Sequence, residues 1–265
     1  MQFALQMYES AVALDPDFVL AYAGLANVSA QYYHHFEHKQ QWIDRAIAAT
    51  QKASANGNAA PEIKLAEASV DFSEGRFNEA VDKLRAALET DPDLDGGYYM
   101  LGRALFSAGR YQEIVDMMET ALAHSGENYN TSIPIHNALG ALGKKEALTN
   151  YIHREKALYE GHSKKVPEDA RARVLLAGTL ALQGRNEDAK READMAMALR
   201  PDDTMILYNV ACVFCGMNNA KDAMIALKKA WEAGYHDTTW TRQDPDLAIL
   251  HGDPEFERLY PPTDA

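Results

Sequence analysis

Gly75, Gly109 and Gly143 recur at an interval of 34 residues, and Gly184 and Asn218 resume that interval after one slip of seven. Each sits in a similar phrase: Gly75-Arg76-Phe77-Asn78-Glu79-Ala80, Gly109-Arg110-Tyr111-Gln112-Glu113, Gly143-Lys144-Lys145-Glu146, Gly184-Arg185-Asn186-Glu187-Asp188-Ala189 and Asn218-Asn219-Ala220-Lys221-Asp222-Ala223. A glycine that ends one helix in the left-handed conformation, followed by an acid-rich first turn, describes a joint between two helices. Asn is the usual substitute at such a position, so Asn218 keeps the register. A fixed period of this length built from two helices predicts a stacked array, whose main asset is an extended surface for binding.

Composition narrows the partners. The chain has 265 residues, of which 47% are hydrophobic, enough to bury a core along a whole array. Lys and Arg total 26 against 39 Asp and Glu, a net charge of −13. So acidic a chain repels phosphate backbones and anionic lipid, which speaks against nucleic acid and membrane surfaces as partners. No apolar stretch approaches the ~18 residues that a spanning helix needs, so membrane insertion is not expected. The two cysteines build no disulfide framework and suit a reducing cytoplasm.

Other positions repeat in the same register. Tyr98-x-x-Leu101-Gly102-x-x-Leu105 answers Leu207-x-x-Val210-Ala211-x-x-Phe214, and Tyr22-x-x-Leu25-Ala26 is an earlier copy. In the second helices Ala80 and Ala87 answer Ala189 and Ala196, then Ala223 and Ala230. Small residues are needed where paired helices cross closely, and larger ones fill the gaps beside them. Asp15-Pro16, Asp91-Pro92 and Arg200-Pro201 mark turns after second helices, since proline cannot continue a helix but suits the first turn of the next.

These features together resemble the tetratricopeptide pattern over nearly the whole chain. The resemblance implies an all-α fold, a right-handed superhelical solenoid of antiparallel helix pairs with a short C-terminal cap. Residues 1–18 read as half a repeat (a second helix only), residues 19–234 as six helix pairs, and residues 235–265 as a capping segment. The pairs fall at about 19–56, 61–90, 95–124, 131–162, 168–199 and 204–233. Two depart from the plain repeat: Tyr32 to Gln41 adds residues between the helices of the first, and Asn128 to Pro134 replaces a regular helix start in the fourth. The half-repeat would expose Phe3 and Met7. It reads as the remnant of a longer array cut inside a repeat, with a dedicated capping helix as the alternative.

Trp240, Asp244-Pro245-Asp246-Leu247, Leu250, Asp253-Pro254-Glu255-Phe256 and Leu259 describe two short capped turns. Trp240, Leu247, Leu250, Phe256 and Leu259 are expected to cover the end of the stack. With Leu207-Tyr208-Asn209-Val210-Ala211-Cys212 before it, this tail resembles the end-of-group segment of bacterial tetratricopeptide proteins. Such segments close arrays fused behind serine/threonine kinases, class III adenylate cyclases or winged-helix regulators. No phosphate-binding Gly-rich loop or paired metal-binding aspartates of such catalytic domains occur here.

The family's ligand face comes from the first helix of each pair. By that resemblance Asn27, Ser69, Arg103, His136 and Cys212 point toward a groove, with Tyr99, Tyr208 and Asn209 nearby. Tyr, Asn and one Arg suit a peptide or a partner helix, through stacking and hydrogen bonds to its backbone. The Lys/Asn set with which chaperone-binding members grip a terminal carboxylate is not matched. His34, His35 and His38 form a metal-like cluster, but no further ligand is in evident reach, so a polar insertion between helices is favoured. Cys212-x-x-Cys215 lies inside an expected helix with no second pair, which favours packing over zinc or redox chemistry. The expectation is a non-catalytic protein- or peptide-binding scaffold without cofactor or metal, the interaction arm of a bacterial signalling protein. Homo-oligomerisation through the half-repeat is the alternative, and a metal protein using the histidine insertion a weaker one.

Overall fold

A computed structural model describes residues 2–35, 39–55 and 60–262. Sixteen α-helices are formed among them, with no strand. Residues 1–148 and 149–265 form two compact units.

In the first unit α1 (Gln2–Leu14) packs on α2 (Val19–His35), which pairs with α3 (Gln40–Ser54), and α4 (Pro61–Ser73) pairs with α5 (Phe77–Thr90). α6 (Gly97–Ser107) pairs with a second helix interrupted at Met117 into α7 (Tyr111–Asp116) and α8 (Met118–His124), and α9 (Ser132–Ala141) follows. The unit boundary falls in the first turn of α10 (Lys145–Lys165). The second unit continues with α11 (Ala170–Leu182), α12 (Asn186–Leu199), α13 (Thr204–Gly216) and α14 (Ala220–Glu232). α15 (Thr238–Gln243), a 3-10 turn Pro245–Leu250 and α16 (Pro254–Leu259) close it. The extra residues of the first pair partly lengthen α2, which runs 17 residues. At the start of the fourth pair a 3-10 turn, Tyr129–Thr131, precedes α9, capped by the Asn128 side chain accepting from the Asn130 amide.

The same backbone event closes α4, α6, α9, α11 and α13, at Gly75, Gly109, Gly143, Gly184 and Asn218. Gly109 has φ +73°, its amide donates to the Phe106 carbonyl (3.0 Å), and the Arg110 amide reaches back to Leu105 (2.8 Å). These are the two bonds of a Schellman motif, which satisfy carbonyls that a helix end otherwise leaves orphaned. Asn218, at φ +57°, repeats them with Cys215 and Phe214, at 2.8 and 2.9 Å. The next residue then starts the second helix: the carbonyls of Arg76, Lys144, Arg185 and Asn219 accept from the amide four residues on. Every second helix that follows such a joint has an acidic residue in its first turn, where the helix dipole favours it.

Side chains at these joints link successive pairs. Arg110 donates to Asn78 (3.2 Å) and Lys144 to Gln112 (2.8 Å) in the first unit, and Lys190 to Asp222 (2.7 Å) in the second, each across 32 residues. Glu113 joins Arg110 and Arg85, and the Arg110 guanidinium above all holds its carboxyl down at about 2. Being exposed, each such bond adds little singly. Asp71, by contrast, is buried, and accepts from Arg76 at 2.5 and 3.0 Å and from Lys83 at 2.5 Å.

Close crossings use small residues. Pro134 of α9 sits so near Gly102 of α6 that an added Cβ would meet its ring carbons at 2.6 and 2.7 Å. In the second unit Leu247, Leu250, Phe256 and Leu259 are buried with Leu207, Val210, Phe214 and Leu227 in one cluster over the end of the α13–α14 pair. Trp240 departs from the expectation: it is 51% exposed, and Thr241 takes the inward place on α15. One residue along a helix turns a side chain by about 100°, so the two cannot share a face. At the other end Phe3 (73%), Met7 (54%) and Leu14 (88%) are exposed along one face of α1, while Leu5 packs on Ala23, Leu25 and Ala26 of α2.

Because only positive φ permits the joint, Gly109→Ala is expected to lower stability by about 1–2 kcal/mol, the cost of placing a Cβ in the left-handed region. Asn218→Gly should leave it unchanged or raise it slightly. Thermal unfolding followed by circular dichroism checks both.

Candidate functional site

In α6, Gly97, Met100, Leu101, Gly102, Ala104 and Leu105 are buried, which leaves Tyr99 and Arg103, four residues apart, half-buried on one face. The Arg103 guanidinium lies 4.7 Å from the centroid of the Phe72 ring on α4 and 5.6 Å from that of Tyr99. An arginine over aromatic faces is attracted by their quadrupoles while its N–H edge remains available. Among the described residues Arg103 makes no ion pair and no hydrogen bond.

Asn27 on α2 is half-buried, and its Oδ1 accepts from Ser69 Oγ (3.0 Å) and Gln31 Nε2 (3.3 Å). Ser69 is 2% exposed, and its hydroxyl also lies 2.9 Å from the Leu65 carbonyl. It therefore presents no surface to a ligand, contrary to the sequence expectation. The reason is the setting of α4, which is flanked by α2, α3, α5 and α6 and buried through most of its length. Ser69 fixes Asn27 from beneath. His136 on α9 is half-buried. In the first unit the first helices thus place Asn27, Tyr99, Arg103 and His136 where solvent reaches them.

The second unit corrects the reading of Tyr208. Only 3% exposed, it donates its hydroxyl to Asp244 Oδ2 at 2.6 Å and packs on Tyr235 with ring centroids 4.5 Å apart. Asp244 is also buried, and its Oδ1 accepts from the Asp246 amide (2.9 Å), capping the 3-10 turn. Burial drives the Tyr208 phenol far above its usual range, and the bond to Asp244 adds to this. Tyr208 is an anchor for the C-terminal segment. Asn209, the neighbouring residue, is half-buried. Cys212 and Cys215 are free thiols in the same helix. Burial, then the Asp246 and Asp244 carboxylates, push Cys215 up to about 12, and burial chiefly raises Cys212 as well. Both shifts favour the protonated thiol over the reactive thiolate.

The His34, His35 and His38 cluster lies outside the described residues as far as its side chains are concerned. Among the described residues no group of three His, Cys, Asp or Glu is placed to hold a metal ion, and no helix is long and apolar enough to cross a membrane.

Sequence reasoning missed three residues. Phe72 supplies half of the platform under Arg103, yet reads from its spacing as an ordinary core residue. Asp244 reads as a helix cap, with nothing to reveal its bond to a tyrosine 36 residues earlier. Arg242 donates to Glu257 (2.8 Å) and to the Tyr260 carbonyl (2.7 Å), tying α15 to the end of α16. Its only signal is a positive charge in an acidic tail.

No family model matches the chain. Among curated proteins it is 30% identical over 79 residues to a chloroplastic protein of Arabidopsis thaliana. That match takes in 29% of this chain and 24% of the relative, so the chain spans about a quarter of that protein's length. Among solved structures it is similar to a thermophilic TPR protein of Thermus thermophilus, with a TM-score of 0.56 at 19% identity, covering 72% of this chain and 99% of that one. It is similar also to a tetratricopeptide repeat protein of Parabacteroides merdae, with a TM-score of 0.54 at 14% identity, covering 93% and 90%.

A double-mutant cycle measures the buried anchor. Tyr208→Phe should cost about 1–3 kcal/mol, because it strands a buried carboxylate, and Asp244→Ala a similar amount. The double variant should lose clearly less than the sum of the two. Urea unfolding of the four proteins gives the coupling.

Proposed function

We propose that this chain, which carries the tetratricopeptide-repeat fold, is a protein- or peptide-binding scaffold rather than a catalyst, and that its ligand lies on the first-helix face of the first unit. The observation that carries this reading is the Arg103–Tyr99–Phe72 group: a cation and an aromatic side chain partly open to solvent on a rigid helix. Asn27, held in place by Ser69, and His136 on α9 supply further polar edges on the first helices. A surface built on packed helices loses little conformational entropy on binding, so a modest number of contacts is enough. In the second unit Asn209 is a further half-buried polar residue on a first helix. The likeness of the C-terminal segment to end-of-group segments supports a role as the regulatory arm of a bacterial signalling protein working in the cytoplasm.

The test is capture from a bacterial lysate by the full chain and by a Tyr99→Ala/His136→Ala variant whose circular dichroism matches wild type. A protein retained by wild type should be reduced about five-fold or more on the variant, as expected when an aromatic contact is removed. Equal retention by the two proteins would remove the ligand from this face.

The stripe Phe3, Met7 and Leu14 favours a second reading, self-association through α1. Exposed apolar side chains at helical spacing gain by covering one another. Sedimentation over a range of concentrations should then show a dimer that Phe3→Glu/Met7→Glu abolishes. A monomer at all concentrations would sink this second reading.

A further inference from the structure

The chain carries a net charge of −13, yet the first-helix face of the first unit is nearly bare of anions. α2 contains no Asp, Glu, Lys or Arg, α6 contains only Arg103, and α9 contains none. On α4 the charges are engaged elsewhere. Lys64 donates to the Ala86 carbonyl on α5 (3.3 Å), Glu67 accepts from Ser54 on α3 (2.9 Å), and Asp71 is neutralised by Arg76 and Lys83. Glu62, in the first turn of α4, is the remaining acid there.

Among the described residues Arg103 is thus a cation without a carboxylate partner, on a face with few competing ones. Arg45, Arg76, Arg85, Arg110, Arg173, Arg185, Arg191, Arg200, Arg242 and Arg258 all have hydrogen-bond or ionic partners. In an acidic protein an exposed arginine would readily find such a partner, and here the two rings take that place instead. Stacking on Phe72 and Tyr99 removes rotamer freedom before any ligand arrives, and leaves the guanidinium edge, a planar fork of N–H donors, for the incoming group. That fork matches a carboxylate with two parallel bonds. The protein's remote negative charge is screened beyond about 8 Å at physiological salt, so it does not decide the local preference.

We infer that Arg103 receives an aspartate or glutamate side chain of the bound peptide, so that the ligand is an acidic segment read at one fixed point. This rests on the peptide-binding reading above and adds the chemistry of the contact. The fork accepts the carboxylate edge-on, while Phe72 and Tyr99 hold its plane.

An immobilised library of random N-acetylated, C-amidated dodecapeptides tests it against the full chain, Tyr99→Ala, Arg103→Gln and Arg103→Lys, each checked by circular dichroism. Wild type should retain peptides enriched in Asp and Glu. Replacing the acidic residue of the best binder by its amide should weaken it about ten-fold or more, the size expected of a charge-assisted bidentate contact. Arg103→Gln should lose both the enrichment and that discrimination, and Arg103→Lys should keep part of each, since it retains the charge without the fork. The substitution in the peptide needs no variant protein, so a misfolded Arg103→Gln would not spare the proposal. Retention that depends on Tyr99 but shows no acidic preference would overturn the proposal and leave the peptide-binding reading standing. Acidic preference unchanged in Arg103→Gln would overturn it likewise. Binding confined to a matching library with free C-terminal carboxylates would replace the side chain by a chain terminus. Retention of no peptide at all would overturn the inference together with the reading beneath it.

Discussion

Five of the helix joints depend on one backbone event, a residue with positive φ (Gly75, Gly109, Gly143, Gly184 or Asn218) through which the last carbonyls of the first helix and the first turn of the second are settled within two residues. Gly109 with Arg110 and Asn218 with Asn219 do this with nearly the same bond lengths, although neither their side chains nor their surroundings match. Since the turn leaves no slack, it sets where the second helix begins. The buried alanines Ala80, Ala189 and Ala223 then follow at a fixed offset and let the paired helices approach. A one-residue error at the joint would turn every such alanine by about 100° away from the crossing.

That fixed geometry has an electrostatic consequence. The joints concentrate charge at the starts of the second helices, where acids favour the dipole and where Arg110, Lys144 and Lys190 bridge one pair to the next. The first helices, buried along much of their length, have little room for ions. In the first unit the result is a face on which Arg103 rests on aromatic rings, away from the carboxylates that engage Arg76, Lys83, Arg85 and Arg110. Asp71 shows the same separation from the opposite direction, since it belongs to a first helix and is nevertheless neutralised from the joint and the second helix by Arg76 and Lys83.

The C-terminal segment is fastened differently. Its apolar residues Leu247, Leu250 and Phe256 fill the end of the core, but its position is also specified by polar bonds: Tyr208 to Asp244, and Arg242 to Glu257 and the Tyr260 carbonyl. Apolar contacts tolerate sliding, while hydrogen bonds to buried partners do not, because an unmade bond there costs the full desolvation of the group. Tyr208 therefore contributes to order in the segment and is unavailable to a ligand.

The sequence by itself determined the helix pairs, their joints and most of the cap, because those depend on local chemistry repeated at a constant period: Gly or Asn for the left-handed turn, acids after it, alanines at the crossing, Asp-Pro steps before the last turns. It also placed Tyr99 and Arg103 on one face, since four residues make roughly one helical turn. Only the tertiary structure decided which polar residues remain open. Ser69 and Asn27 occupy corresponding positions, yet one is buried because its helix is flanked by neighbours on all sides. Trp240 and Thr241 are adjacent, and the small polar residue took the inward place that hydrophobicity would give to the large one. Tyr208 turned inward to a carboxylate 36 residues away, and Arg103 came to rest on a ring from the preceding pair. Burial and long-range pairing depend on the summed packing of several helices, and no periodicity along the chain encodes that sum.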